Sequence, residues 1–281
     1  VKEFGMVPHP KINHLGASPD GIVSPYKLDQ KHLTKYVGRM LEIKCPLSRK
    51  IKKVGEVKGE ICPIYYWVQV QLQLECCDLD ECDFWQCEIL EYDDREDFVL
   101  DTDIEYPYLS KTNKMEKGAL IQLLPLKKPS EDLSYLDLVY SYAQFIYPPK
   151  IEMSPYDVDI WLSTTLSKLK DTHPDYYFDK IIYWQMFVTH NVTIKRDVKW
   201  FEENKSTYEE IWNYVTILRN NLDKANIIFE YIDNLKRKDT DSIMNLIKKI
   251  CDIPDENDKI SSNKYNIFIE NLIKDNEIND L

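Results

Sequence analysis

Leu41-Glu42-Ile43-Lys44-Cys45-Pro46 closes a stretch that opens at Arg39, with Met40, Glu42 and Lys44 on one face and Leu41, Ile43 and Cys45 on the other. Alternation with a period of two marks a strand, and Pro46, which has no N–H to give to a ladder, ends it. The pleat has two effects. Glu42 and Lys44 leave the same face, and the carbonyl of Ile43 lies between them. An acid and a base thus stand together on one strand.

Upstream, an extended piece from about Ile12 to Ala17 leads into the turn-forming Ser18-Pro19-Asp20-Gly21 and a short apolar Ile22-Val23. The simplest arrangement is a hairpin-like pair with Asp20 in its turn. If those pieces pair, the Asp20 carboxylate comes near Glu42. Two carboxylates, a carbonyl and waters suit a hard octahedral cation such as Mg²⁺. Such an ion can bind a scissile phosphate and activate water, with Lys44 positioned to orient or deprotonate that water. Charged pairs on solvent-facing strands give the same pattern, so an Asp followed by a distant E-x-K does not define a site by itself.

Downstream, Ile64 to Cys77 (IYYWVQVQLQLECC) has no Gly or Pro, and its alternating Val68, Val70, Leu72 and Leu74 suit a strand as well as a helix. Cys82 to Leu90 (CDFWQCEIL) reads as a strand. After the Pro148-Pro149 break, a helix starts near Ser154 with Pro155 in its first turn and runs through Trp161, Leu162, Leu166 and Leu169. Ile181 to Val188 and Val192 to Lys195 read as two strands about a His190-Asn191 turn. Ser206-Thr207-Tyr208-Glu209 offers a capping box for a helix whose Tyr208, Ile211, Trp212, Val215, Leu218 and Leu222 form a packing stripe. The polar, acidic Cys251 to Asn263 reads as a linker before an amphipathic helix around Tyr265 to Ile273.

Composition narrows the class. A chain of 281 residues with 43% hydrophobic content can bury a sizeable core. That length suggests one large domain, or one domain with an extension. No apolar run approaches the roughly 20 residues that span a bilayer, so a soluble protein with no membrane partner is expected. The formal charge of -12 argues against an indiscriminate polyanion binder, so any DNA contact must be local. The strongest basic stretch is Lys44, Arg49, Lys50, Lys52, Lys53 and Lys58. Seven Cys and no charged-then-apolar leader favour reduced thiols in an intracellular setting.

Three ordered motifs change the weight of the Asp20, Glu42 and Lys44 trio: Gly16-Ala17-Ser18-Pro19-Asp20-Gly21, Leu41-Glu42-Ile43-Lys44-Cys45-Pro46 and Tyr65-Tyr66-Trp67-Val68-Gln69-Val70-Gln71. Together they resemble the lambda-exonuclease and YqaJ-type viral recombinase family of the PD-(D/E)XK nuclease superfamily, from Gly16 to about Leu90. A composition rich in Asn, Lys, Ile and Tyr is similar to that of giant-virus proteins.

The resemblance implies an α/β (α+β) fold: a restriction-endonuclease-like core with a mixed central sheet flanked by helices, and a helical C-terminal extension. It implies Mg²⁺ or Mn²⁺ held by Asp20, Glu42 and the Ile43 carbonyl, Lys44 as the catalytic lysine, and Gln69 as a supporting glutamine on a helix. Ile64 to Cys77 is accordingly expected to be that helix, with Gln69 and Gln73 on one face and Gln71 turned away. Ser18, Arg49, Lys50, Lys52, Lys53 and Gln71 are the expected DNA contacts, with capping of the turn the alternative for Ser18 and a hydrogen bond to nearby backbone the alternative for Gln71. Expected partners are DNA, further copies of the chain, and a recombination or helicase protein, in the host cytoplasm or a viral factory.

Family members carry helices before the first motif. This chain has few residues ahead of its Ser-Pro-Asp-Gly turn, so residues 1–235 read as a nuclease core lacking those helices and 236–281 as the extension. Some relatives hold an iron-sulfur cluster with four cysteines. Cys76, Cys77, Cys82 and Cys87 match neither a zinc nor a ferredoxin spacing, so packed thiols are expected instead of an iron-sulfur cluster.

Overall fold

The computed structural model describes residues 1–27, 31–128, 130, 132–234 and 240–252. The chain divides into two compact units, Val1–Arg196 and Asp197–Leu281. The boundary expected at residues 235–236 and the expected helix around Tyr265 to Ile273 lie outside the described residues.

In the first unit, β1 (Val7–Pro8) and β2 (Gly16–Ala17) form a small antiparallel ribbon. A six-stranded mixed sheet follows. It starts with β3 (Gly21–Ile22) and β4 (Met40–Lys44), an antiparallel pair. Helix α1 (Ile64–Cys77) carries the chain over to β5 (Glu81–Glu91), which runs parallel to β4. Then come α2 (Arg95–Leu100), β6 (Lys117–Pro125), α3 (Tyr135–Tyr142), β7 (Gln144–Ile146), α4 (Pro155–Ser167), α5 (Leu169–Thr172) and β8 (Tyr176–Lys195). The strand order is β3-β4-β5-β8-β6-β7, with every pair except β4–β5 antiparallel. This is the expected mixed α/β class.

Three local readings are corrected. The pieces on either side of Ser18-Pro19-Asp20 do not form a hairpin with each other. Gly16–Ala17 pairs back to Val7–Pro8, while Gly21–Ile22 pairs with Leu41 and Met40. His190 and Asn191 are not a turn, because β8 is continuous and they pair with Gln86 and Trp85 of β5. Two flanking strands supply partners for the whole length of β8, which overrides the local turn preference of these residues. Ser206 does not start a helix. The second unit's α6 (Val198–Asn220) starts earlier, where the Asp197 carboxylate accepts a hydrogen bond from the Trp200 N–H at 2.9 Å.

The expected start near Ser154 is present as a reciprocal capping box with Asp157. It directs α4 so that Val158 and Leu162 pack with Phe98, Ala119, Ile121, Leu123, Met153, Leu169 and Tyr183. Burying such side chains stabilises by roughly 1.5–3 kcal/mol each.

At the edge of this core, the Lys117 side chain is almost fully buried and donates to the Phe98 carbonyl and to Thr102 Oγ1 (2.8 Å). Burial pulls its ammonium down to about 8, with Asp101 opposing. The folded chain therefore holds this proton more weakly than the unfolded chain. Between about 8 and the ordinary 10.5 the unfolded chain binds more protons, so the penalty fades as pH rises. Urea unfolding of the native chain and of Lys117→Met, from about pH 7 to about pH 10, is expected to shift in favour of the native chain as pH rises. A pH-independent difference would refute this.

In the second unit, α6 is followed by α7 (Leu222–Asn234) and α8 (Thr240–Cys251). Ile228, Tyr231, Leu246 and Ile250 form their shared core, with Leu218 packed against it. The expected stripe on α6 is only partly buried. Ile211 and Leu222 are exposed and Tyr214 is buried; Leu222 lies past the end of α6, at the first position of α7.

Candidate metal centre

The site is built where the β3–β4 pair meets α1. The register Gly21↔Leu41 and Ile22↔Met40 brings the Pro19-Asp20 turn alongside the end of β4. Gly21 leaves room on its other side for the N-terminal residues: a Cβ there would lie 2.2 Å from the Val1 side chain and 3.2 Å from the Lys2 carbonyl. The exposed Asp20 accepts a hydrogen bond from the Ile43 N–H through Oδ2 at 2.6 Å. The sequence anticipated this proximity of Asp20 to the strand, although through a different pairing.

Glu42 is the buried member of the group, at 2% exposure. Its Oε1 accepts from Lys44 Nζ at 2.5 Å and from Gln69 Nε2 at 2.7 Å, and its Oε2 accepts from Gln73 Nε2 at 2.8 Å. Lys44 Nζ also donates to Gln69 Oε1 at 3.1 Å and stands 4.6 Å from the centre of the Tyr66 ring. A buried carboxylate needs such donors to offset its lost hydration. Gln69 and Gln73 can both supply them because they lie one turn apart on α1.

The remaining expected residues separate. The half-buried Arg49 joins the edge of the site, donating to Gln86 Oε1 at 2.7 Å with its guanidinium 5.7 Å from the Tyr66 ring centre. Gln86 is fully buried and is itself anchored to the Ile61 carbonyl at 3.1 Å. Lys50, Lys52 and Lys53 are exposed on the loop after β4. Ser18 is exposed beside Asp20, and its carbonyl lies 3.5 Å from Gln73 Nε2. Gln71 points elsewhere: at 1% exposure, its amide donates to the Lys195 carbonyl at 3.0 Å, tying α1 to the end of β8.

Sequence reasoning put Gln73 on the right face but gave it no role, and it did not identify Tyr66 or Gln86. The spacing of four from Gln69 was the available signal for Gln73. No spacing rule exposes Gln86, which comes from another strand.

Among the described residues, no three His, Cys, Asp or Glu side chains converge as a metal cluster. The candidate centre has two carboxylates and a main-chain carbonyl. Of the cysteines near it, Cys62, Cys76 and Cys82 are buried, Cys77 is half-buried and Cys45 is exposed. Burial pushes the Cys62 thiol up to about 12, with Arg49 and Lys44 opposing and Glu42 adding to the shift. Burial also raises Cys82, Cys76 and Cys77.

The segment that carries this arrangement is similar to a known family: the model of the YqaJ-like viral recombinase domain matches residues 1–80. That match spans less than a third of the chain. The matched segment holds Asp20, Glu42, Lys44, Gln69 and Gln73. The chain is also 39% identical over 252 residues to an uncharacterized protein of Acanthamoeba polyphaga mimivirus. The alignment covers 89% of this chain and 45% of that relative, so the chain spans less than half the relative's length. No helix among the described residues is long and apolar enough to cross a membrane.

Proposed function

We propose that the chain is a metal-dependent DNA nuclease, and specifically an exonuclease that hydrolyses the phosphodiester bonds of linear duplex DNA from its ends. One observation carries this reading: a buried Glu42 held by Lys44, Gln69 and Gln73 next to an exposed Asp20 on the same strand end. The match to a viral recombinase domain supports DNA as the substrate. The recombinase-domain match supports a role in recombination, repair or defence against foreign DNA, and the mimivirus relative supports a viral setting, within the host cytoplasm or a viral factory.

The donor set fits a hard divalent cation. Asp20 and Glu42 offer carboxylate oxygens. In a strand, one residue's N–H and C=O leave on the same edge, so the Ile43 carbonyl emerges on the side where Asp20 takes the Ile43 N–H. These three groups would hold Mg²⁺ or Mn²⁺, all through oxygen. When bound, such an ion supplies charge neutralisation at the scissile phosphate and eases deprotonation of the attacking water.

Lys44 presents its ammonium at the Glu42 carboxylate, in reach of a water or phosphate oxygen arriving from the open side. Its role is to orient the nucleophile and stabilise negative charge. Gln69 holds both Lys44 and Glu42, which fixes their relative positions. Arg49, Lys50, Lys52 and Lys53 lie on the segment that follows the catalytic strand, where they would contact DNA phosphates despite the acidic whole.

The deciding experiment incubates the chain with linear duplexes bearing or lacking a 5′ phosphate, and with a closed circle, in Mg²⁺, in Mn²⁺ and with chelator. Progressive loss of the linear forms with the circle intact, abolished by chelator, is expected. Equal cutting of the circle would make the chain an endonuclease. Binding without cleavage in either metal would refute the nuclease reading.

A further inference from the structure

One step along the β4–β5 ladder from the Lys44↔Gln86 pair stand Cys45 and Cys87. The strands are parallel, so the register continues, and the pleat turns both side chains to the face opposite Lys44 and Gln86. The two side chains are close enough to interact with each other. Cys45 is exposed and Cys87 is buried. The other five thiols are buried or half-buried, so Cys45 is the one a dissolved oxidant reaches first.

The spacing suits a covalent bond. Facing residues within the ladder lie about 4.8 Å apart, inside the roughly 4.4–6.8 Å between Cα atoms that a disulfide bridges, and Cys45 and Cys87 directly follow its last pair with side chains in contact. Cys45 lies just past the last residue of β4, where no ladder constrains its backbone against the torsion such a bond requires.

We propose that Cys45 and Cys87 are a reversible redox pair, a modification site for hydroperoxides. The Cys45 sulfur attacks the peroxide and the O–O bond breaks. Cys45 becomes a sulfenic acid, and the displaced hydroxide leaves as water with the thiol proton. The Cys87 sulfur then attacks Sγ of Cys45 and the S–O bond breaks. The departing hydroxide takes the Cys87 proton and leaves as a second water. Two thiols lose two electrons and one peroxide gains them.

The order of attack follows from the surroundings. Burial, and then the adjacent Cys45, push the Cys87 thiol up to about 11, so the exposed Cys45 and not Cys87 is the thiol that meets the peroxide. A resolving thiol at this distance diverts the sulfenic acid from irreversible over-oxidation. In a reducing compartment such a bond is transient and serves sensing, not scaffolding.

The test treats the reduced full chain with hydrogen peroxide, blocks remaining thiols with iodoacetamide and digests it without reductant for mass spectrometry. A single Cys45–Cys87 cross-linked peptide, reversed by dithiothreitol, is expected. In Cys87→Ser, Cys45 is expected to be trapped by dimedone as the sulfenic acid. In Cys45→Ser, an exposed position that spares the fold, Cys87 is expected to stay reduced. Cys45 found as sulfinic acid, or in an intermolecular dimer, with Cys87 reduced in the native chain would overturn the proposal.

Discussion

Lys44→Ala is expected to lower the rate of Mg²⁺-dependent degradation of linear duplex DNA by roughly 10²–10⁴-fold, the range of a positioned proton-transfer or charge-stabilising group. The cause is specific. Lys44 Nζ is the cationic contact of the buried Glu42 carboxylate and also bonds Gln69 Oε1. Its loss removes the charge that would face the nucleophile and phosphate. The fold is expected to persist, because Glu42 keeps two amide donors from Gln69 and Gln73. The stability cost should be on the order of 1–3 kcal/mol, that of one lost buried hydrogen-bond partner. Single-turnover rates and urea unfolding on one preparation separate the two effects. Unchanged cleavage by a folded variant would remove Lys44 from the mechanism.

Glu42→Gln is expected to abolish metal-dependent cleavage while leaving thermal stability close to that of the native chain. Replacing one carboxylate oxygen by an amide removes a negative charge and a ligand. The loss should exceed the 10–100-fold typical when only a residue supporting a metal ligand is changed. The neighbouring residues can adapt to the new amide. Gln73 Oε1 is buried without a hydrogen-bond partner, so rotating the Gln73 amide presents an acceptor to the new NH₂ group. Titration of Mn²⁺ followed by calorimetry, with circular dichroism as the check on folding, tests both parts. Metal affinity equal to that of the native chain would show that Glu42 is not a ligand.

The strand that carries Glu42 and Lys44 was legible because its alternation is local and Pro46 ends it. Helix α4 was legible for the same kind of reason: Ser154, Pro155 and Asp157 specify a helix start among themselves. Helix α1 was different. Its alternating Val and Leu residues suited either structure, and only the ordered motifs identified it as a helix.

Readings that depended on distant partners failed. His190 and Asn191 have the composition of a turn, yet β5 pairs with them throughout. Gln71, expected to face away from Gln69, does so, but the partner it finds there, the Lys195 carbonyl, was not legible in the sequence.

The sequence by itself determined which groups are present and, for the strand, on which face each leaves: an Asp in a tight turn, an acid and a lysine on one strand face, and two glutamines four residues apart in a segment that the resemblance alone made a helix. Period and turn chemistry are properties of neighbouring residues, so a single chain read in order contains them. Only the tertiary structure decided that Gly21 pairs with Leu41 to bring Asp20 to the Ile43 N–H, that α1 points Gln69 and Gln73 at Glu42, and that Cys45 and Cys87 lie side by side. Those contacts join residues far apart in the chain, and their geometry is set by strand register and helix packing, which no local spacing encodes.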